Sequence, residues 1–290
     1  MRELIERIGT RFSRGTIRYA MFASFTVSAL LAILLTGVTL YARFSTQLDD
    51  TIEGENQMLV EQVNQSLDTY LRDMIRLSDS IYYNVVKNTD LDEHSVSEEM
   101  RLLYNTYSDY VENMVLFTGD GEVVATAPAA KLRSGVDVRG TPWFAQAMER
   151  TENLHFGIPA VQNLFVDAEH NYKWVISLSC AVELTRGKDT QLGVLLIDLK
   201  YSALASLFSS VKLSGSGYVY LIDGDGVLIY HPERSLIASG LVTEGNQTAA
   251  AYRDGIYTQT WNGEKRSIIV RGVGKRWRRS QRSCSTGRIL

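Results

Sequence analysis

The chain is poor in the residues from which catalytic and metal sites are usually built. Its 290 residues include two cysteines and four histidines. Cys180 and Cys284 lack the spacing of a disulfide framework or of metal ligands, and the histidines lie far apart. The sequence contains neither HExxH nor GxSxG, the patterns typical of zinc hydrolysis and of a nucleophile elbow. We therefore predict no catalytic residue, no metal site and no cofactor.

Charge is absent from Tyr19 to Ala42, a run of 24 residues. A helix of that length covers roughly 36 Å, enough for a hydrocarbon layer of ~30 Å. A cleavable signal peptide has a shorter apolar core of about 7–15 residues and ends in small residues, which Leu40, Tyr41 and Ala42 do not match. No face of the run is polar, which disfavours a buried core helix. We predict a transmembrane helix over 19–42, in contact with membrane lipid.

The charges on either side of this run predict its orientation. Five arginines lie within residues 1–18, whereas only Arg43 follows closely. The positive-inside rule then places residues 1–18 in the cytoplasm and residues 43 onward outside the plasma membrane. Residues 43–270 carry 18 Lys or Arg and 31 Asp or Glu. So acidic a body is not expected to bind nucleic acid.

Residues 43–86 have the apolar spacing of a long helix. The apolar positions recur every three, four or seven residues, which is helical and close to a heptad. This stripe has two open interpretations: it packs against its own domain, or it pairs with a twin helix in a homodimer. The positions are Leu48, Ile52, Leu59, Val63, Leu67, Tyr70, Met74, Leu77 and Ile81.

Beyond a second short helix capped by Ser97, the texture changes to β-branched and aromatic runs separated by Gly, Asp or Asn. Two segments, Met114 to Pro128 and Val219 to Pro232, share one pattern: an apolar strand, Gly-Asp-Gly, a second apolar strand and Pro. Their central aspartates, Asp120 and Asp225, lie 105 residues apart. The match indicates a duplicated unit that begins with a sheet hairpin. We predict an α+β fold with antiparallel sheets.

Several segments together carry a resemblance to a known family. They are the stalk helix behind an N-terminal anchor, TPWFAQA, KWVISLSCAVEL, GVLLIDLKYSALASLF and GYVYLIDGDGVLIYHP. The series resembles the extracytoplasmic double Cache (dCache) region of bacterial transmembrane sensor histidine kinases. The resemblance implies two tandem PAS-like modules: a membrane-distal one over 87–211 that binds a small molecule, and a membrane-proximal one over 212–271, which we expect to be incomplete.

In that family a second transmembrane helix leads from the proximal module to a dimeric kinase. Here residues 272–290 form a basic tail instead, so we expect a truncated or frame-shifted product and a chain that is not itself an enzyme. The alternative within signalling is the sensory half of a methyl-accepting chemotaxis receptor. Outside signalling, the alternatives are a surface-anchored hydrolase and an adhesion module.

The resemblance also suggests ligand-binding residues. The amino-acid-binding branch has an Arg-x-Trp-Tyr motif whose Arg grips a carboxylate, and a later Asp that grips the ammonium. This chain has Thr141 at the Arg position, Trp143 at the Trp position and Phe144 at the Tyr position, while Asp198 matches the later Asp. We therefore expect a small ligand other than an ordinary amino acid.

Each of these residues also has a structural interpretation. Asp198 could instead cap the helix that starts near Tyr201, and Trp143 and Phe144 could belong to the core. Three further candidates for the ligand site rest on the same argument: Gln162, Tyr172 and Trp174.

Overall fold

The computed structural model describes residues 17–87, 89–92, 95–151, 154–166, 172–214, 217–261, 263–274 and 288–289. The chain divides into two compact units, Met1–Asn56 and Gln57–Leu290. The helices are α1 (Ile17–Ser80), a π-helix (Ile81–Val86), α2 (Ser97–Tyr107), α3 (Pro142–Glu149), α4 (Tyr201–Ser209), α5 (Arg234–Ala238) and α6 (Asn246–Ala250).

The predicted membrane segment and stalk lie on one helix. α1 contains an uncharged stretch that is long and apolar enough to cross a membrane. Its large apolar side chains, among them Phe22, Phe25 and Leu35, are exposed. Exposed apolar surface of this extent is unfavourable in water and favourable in lipid. A membrane span, rather than a core helix, is the structure that suits these residues.

The apolar stripe splits into two parts. From Val63 to Ile81 its residues are buried in the core of the second unit, so for this stretch packing against its own domain is the correct interpretation. Leu48 and Ile52, one turn apart, are 43% and 40% exposed. The homodimer prediction therefore rests on this exposed part of the stripe.

The first sheet is antiparallel and has the strand order β2-β1-β6-β5-β3, with β4 also paired to β5. Its long central strands, β5 and β6, pair over their whole length. One face packs against α1 through residues such as Met114, Leu116 and Ile197. The opposite face carries α3. The strands are β1 (Val111–Thr118), β2 (Val123–Ala127), β3 (His155–Phe156), β4 (Ala160–Val161), β5 (Trp174–Arg186) and β6 (Asp189–Lys200).

The second sheet is also antiparallel, in the order β8-β7-β11-β10-β9. Val219 and Leu221 join the core that α1 shares with the first sheet. Tyr220 and Ile222 face the other way, toward α6. The strands are β7 (Leu221–Ile222), β8 (Leu228–Tyr230), β9 (Gly255–Trp261), β10 (Glu264–Gly272) and β11 (Arg288–Ile289). The antiparallel sheets confirm this part of the predicted fold class.

The two Gly-Asp-Gly turns have the same hydrogen-bonding geometry. In the first, the N–H groups of Gly121 and Thr118 donate to Thr118 and Glu122 carbonyls. In the second, the N–H groups of the residues 105 positions later make the same bonds. Gly121 and Gly226 both have φ near +85° (87° and 83°), a conformation that glycine adopts at little cost. The geometry of the two turns agrees with the predicted duplication.

One sequence prediction, the Ser97 cap, needs correction, and two others concern residues that the structure does not describe. Ser97 is the first residue of α2 rather than its cap; the cap position is Val96, whose side chain makes no capping hydrogen bond. Residues 1–16 of the predicted cytoplasmic segment lie outside the described residues, as do 275–287 and 290 of the basic tail.

Candidate functional site

A row of three polar residues crosses the first sheet. Asp198 lies on the central strand β6, opposite Asn113 on β1 and Ser177 on β5. Because residues directly opposite each other in a sheet point to the same face, the three side chains lie side by side. Asp198 is 2% exposed and Asn113 is 4% exposed. A buried carboxylate in a strand is costly unless it is compensated, so this row is the first candidate for a site.

Strand alternation places this row on the face that carries α3. Two residues further along each strand, the next row is Val115, Leu196 and Ser179. Val115 and Leu196 belong to the apolar cluster that contains Phe144 of α3. The polar row is therefore the continuation of the surface under α3, and it lies on the opposite face from α1.

The electrostatics of Asp198 are those of a carboxylate with neutral partners. The Ser177 hydroxyl donates to Asp198 Oδ1 at 2.6 Å. Burial raises the pKa of Asp198 to about 6, although hydrogen bonds from Ser177 and Asn113 oppose the rise and the nearby Glu112 adds to it. Among the described residues no ion pair reaches this carboxylate. At neutral pH Asp198 is mostly ionised, yet no positively charged side chain of the described residues pairs with it.

The predicted site residues of α3 lie beside this row. The Ser179 hydroxyl donates to the Trp143 carbonyl oxygen at 2.9 Å, which fixes the start of α3 on the sheet. Phe144 is buried against Phe117, and Trp143 is half-buried against both rings. Phe144 is therefore part of the apolar core cluster, whereas Trp143 is only half-buried and contacts Phe117 rather than the polar row.

Thr141 does not replace the missing arginine. It precedes the first residue of α3, and its hydroxyl donates to the Val138 carbonyl oxygen at 2.6 Å. This hydroxyl is already satisfied and carries no charge. The motif position that grips a carboxylate in the amino-acid-binding branch is thus neutral here.

The remaining three candidates lie at the edge formed by β4 and the start of β5. The Gln162 N–H donates to the Lys173 carbonyl oxygen at 2.8 Å. Tyr172 is 85% exposed. Trp174 contacts Arg234 of α5. The guanidinium carbon of Arg234 lies 4.2 Å from the centre of the Trp174 ring. The structure does not bring these residues together with Asp198.

The alternative role of Asp198 as a helix cap is wrong. α4 begins at Tyr201, its cap position is Lys200, and no side chain makes a capping hydrogen bond. Asp198 lies in the strand, and the sheet's alternation directs its side chain to Ser177 instead.

Sequence reasoning missed Asn113 and Ser177. Both are polar residues inside otherwise apolar strands, VENMVLFT and WVISLSC. Alternation would have placed Asn113 on the face of Val115 and Phe117. The pairing that brings them to Asp198, however, depends on strand register between distant segments.

A second carboxylate with a buried side chain, that of Glu244, lies in the segment before α6, and its partners include a cation. The Tyr218 hydroxyl donates to Glu244. Arg266 Nη1 lies 3.6 Å from Glu244 Oε1 and 3.3 Å from the Tyr218 hydroxyl oxygen. His231 Nε2 lies 3.5 Å from Glu244 Oε2. Burial works to raise the pKa of Glu244, but the nearby His231, the hydrogen bonds from Tyr218 and the Gly245 N–H, and the positive charge of Arg266 outweigh it, so the pKa is lowered.

The residues beside the two carboxylates, Asn113 and Tyr218, occupy corresponding positions directly before the two repeated segments. Tyr218 follows Asn113 by 105 positions, the same offset that relates the two Gly-Asp-Gly turns.

Within the described ranges, no three His, Cys, Asp or Glu side chains gather closely enough to hold a metal ion.

Comparison with known families identifies the fold. The Cache domain model dCache_1 matches residues 44–278. The chain therefore belongs to the Cache domain family.

Curated relatives are chemotaxis receptors. The chain is 22% identical over 195 residues to the methyl-accepting chemotaxis protein PscA of Pseudomonas syringae pv. tomato, covering 67% of this chain and 29% of that protein. It is 22% identical over 228 residues to McpC of Bacillus subtilis, covering 76% and 33%. The chain thus spans about a third of the length of the curated relatives it matches.

Solved structures of chemoreceptor ligand-binding domains share the fold. One is that of PctC from Pseudomonas aeruginosa in complex with GABA, with a TM-score of 0.59 and 19% identity, covering 83% of this chain and 97% of that one. Another is that of CtaA from Pseudomonas fluorescens in complex with L-isoleucine, with a TM-score of 0.59 and 17% identity, covering 84% and 94%.

Proposed function

We propose that this chain is the extracellular sensing part of a membrane-anchored receptor, and that it binds a small organic cation at Asp198. The ligand would lie over the polar row of Asn113, Asp198 and Ser177. Binding would favour one of two arrangements of the domain. Couplings of this kind are typically worth ~1–3 kcal/mol.

The observation that carries the proposal is that the buried Asp198 has no positively charged partner among the residues that the structure describes. A buried carboxylate that accepts hydrogen bonds only from neutral groups is costly to keep ionised. A cationic ligand would supply the missing charge and would gain a strong, charge-assisted hydrogen bond. Ligand sites are typically apolar surfaces with a few convergent polar groups, which describes the face beneath α3.

The ligand class follows from the charges of the site: Asp198 provides a negative group, whereas the neutral Thr141 provides no positive one. The related ligand-binding domains have been crystallised with GABA and L-isoleucine, which carry both an ammonium and a carboxylate. In this chain the negative side, Asp198, is present, whereas Thr141 stands where a carboxylate-binding arginine is expected. We therefore favour amines and other organic cations over ordinary α-amino acids.

Calorimetry on the whole chain in lipid nanodiscs tests the proposal. The panel comprises organic amines, α-amino acids, organic acids and sugars. We expect amines to bind, and Asp198→Asn to weaken that binding by about 10- to 100-fold, because one charged hydrogen bond is worth about 1.5–3 kcal/mol.

Asp189→Asn is the matched control, since Asp189 lies on the same strand but is exposed. It should leave the affinity unchanged. Tight binding of ordinary α-amino acids that survives Asp198→Asn would refute the proposal.

The receptor's organisation is part of the same proposal. The two sheets and the repeated hairpin support a membrane-distal module over 87–211 and a membrane-proximal one over 212–271. The uncharged run over 19–42 and the arginines before it support a cytoplasmic N-terminus. Accessibility of single cysteines placed at exposed positions, such as Asn105 and Leu241, to a membrane-impermeant reagent on whole cells tests this topology. Protection of both would contradict it.

The output is proposed from the relatives. The resemblance alone implied a histidine kinase, but the curated relatives named above are chemotaxis proteins, which supports the chemoreceptor alternative. Receptor chains of either kind would pair through the exposed Leu48 and Ile52. Leu48→Cys and Ile52→Cys should each form a disulfide-linked dimer in oxidised membranes, and the absence of any cross-link would count against the homodimer.

A further inference from the structure

The side-chain carbonyl oxygen of Asn113 has no hydrogen-bond donor among the described residues. Asn113 lies directly opposite Asp198 in the sheet and opposes the rise in that carboxyl's pKa. Its carbonyl oxygen Oδ1 is buried and accepts no hydrogen bond from the described part of the chain. A buried acceptor left unsatisfied is uncommon and requires an explanation. It lies on the same face as Asp198, directly across the strand pair.

A related arrangement beside the second sheet has a positively charged partner in place. Tyr218, at the position corresponding to Asn113, donates its hydroxyl to the buried carboxylate of Glu244. The same hydroxyl oxygen accepts from Arg266 Nη1 at 3.3 Å. That nitrogen lies 3.6 Å from the carboxylate. A guanidinium thus contacts a carboxylate and a neighbouring neutral acceptor together.

From this correspondence we infer that Asn113 is a specificity-determining residue whose Oδ1 accepts a hydrogen bond from the ligand cation. The inference rests on the proposed binding of a cation at Asp198, and it narrows the ligand class. A cation that reaches both Asp198 and Asn113 Oδ1 must carry at least two N–H donors. Primary ammonium, amidinium and guanidinium groups meet this condition. A quaternary ammonium has no N–H and does not.

Three cations that differ in their number of N–H donors test the inference on the unaltered chain. The probes are n-butylammonium, n-butylguanidinium and n-butyltrimethylammonium, titrated by calorimetry into the whole chain in nanodiscs. We expect the trimethylated probe to bind at least about tenfold more weakly than the other two, because it cannot satisfy either acceptor.

Asn113→Leu then assigns the preference to this residue. The variant keeps the volume and removes the acceptor, so the N–H-bearing probes should lose about tenfold or more in affinity, and the gap to the trimethylated probe should narrow. Asn105→Leu is the control, because Asn105 lies exposed on α2. Thermal unfolding of both variants establishes that they are folded.

The possible results separate this inference from the proposed function. Equal binding of n-butylammonium and n-butyltrimethylammonium, with both lost in Asp198→Asn, would overturn the role of Asn113 while leaving the cation site intact. An unchanged preference in a folded Asn113→Leu would also overturn it. Failure of all three probes to bind would reject the inference together with the proposed cation site.

Discussion

Two buried carboxylates, Asp198 on the first sheet and Glu244 in the segment before α6, are compensated differently. Glu244 is surrounded by Tyr218, His231 and Arg266. Among the described residues, the partners of Asp198 are the neutral Ser177 and Asn113. The pKa is accordingly lowered at Glu244 and raised at Asp198. The difference indicates that one centre is complete within the chain, whereas the other lacks a positive charge that a ligand could provide.

Removing Arg266 should leave Glu244, like Asp198, without a positively charged partner among the residues around it. In Arg266→Ala the buried Glu244 loses its charged partner, and unpaired buried charges are strongly destabilising. Because the Arg266 side chain is itself 36% exposed, we expect a loss of about 2–3 kcal/mol in the free energy of unfolding rather than the full cost. Chemical denaturation at pH 7 measures it.

Added ethylguanidinium should restore part of that stability by occupying the vacated position. Lys265→Ala, at the exposed neighbouring residue, should change the stability little and should not respond to ethylguanidinium. A folded Arg266→Ala that is as stable as the parent would show that Arg266 does not compensate Glu244.

The two carboxylates should respond to pH in opposite directions. A carboxyl with a raised pKa favours the folded state while protonated, so the contribution of Asp198 is lost as the pH rises from about 4 through 6. At pH 7 Asp198→Asn should then be more stable than the parent by roughly 2–3 kcal/mol, with the difference vanishing below pH 4.

Glu244 should show the reverse. Its pKa is lowered, so it contributes stability above the ordinary pKa of a glutamate and loses it as the pH falls through the folded-state value. Glu244→Gln should therefore be less stable than the parent at pH 7. Stability curves for both variants from pH 3 to 8 provide the test. Parallel curves would contradict the contrast between the centres.

The repeated turns offer the smallest expected difference. Asp223 Oδ1 accepts from the N–H groups of Asp225 and Val227 at 2.9 and 2.8 Å. Within the described residues, the corresponding Thr118 hydroxyl oxygen accepts from a single donor, the Glu122 N–H, at 3.1 Å. At about 0.5–1.5 kcal/mol for each bond, Asp223→Ala should cost about 1–3 kcal/mol and Thr118→Ala about 0.5–1.5 kcal/mol. Urea unfolding measures both, and a larger loss in Thr118→Ala would be inconsistent with these bonds.

Much of the fold could be predicted because its signals are local. The uncharged run, the helical stripe through Leu67 and Met74, and the two Gly-Asp-Gly turns each report on adjacent residues. Ser97 was misplaced by one position, the usual margin at a helix end. The stripe's partner could not be predicted, since a helical pattern shows that a face is buried but not against what.

The site was less accessible to sequence reasoning. Asp198 was found through the family resemblance, yet its helix-cap interpretation was wrong because the strand continues two residues further, to Lys200. Asn113 and Ser177 become its neighbours only through the register of three strands. Likewise, the contact of Trp174 with Arg234 joins residues 60 positions apart. Pairings of this kind depend on tertiary structure.

The pKa of Asp198, followed by NMR of chain labelled with ¹³C at its aspartate carboxyl groups, tests the central claim most directly. Asp198 is assigned by the loss of its signal in Asp198→Asn. Without ligand, we predict that it titrates near pH 6. With saturating n-butylammonium, its pKa should fall well below that value, because the bound cation stabilises the ionised form. An Asp198 that titrates like an exposed aspartate, or whose pKa is the same with and without the amine, would contradict the account.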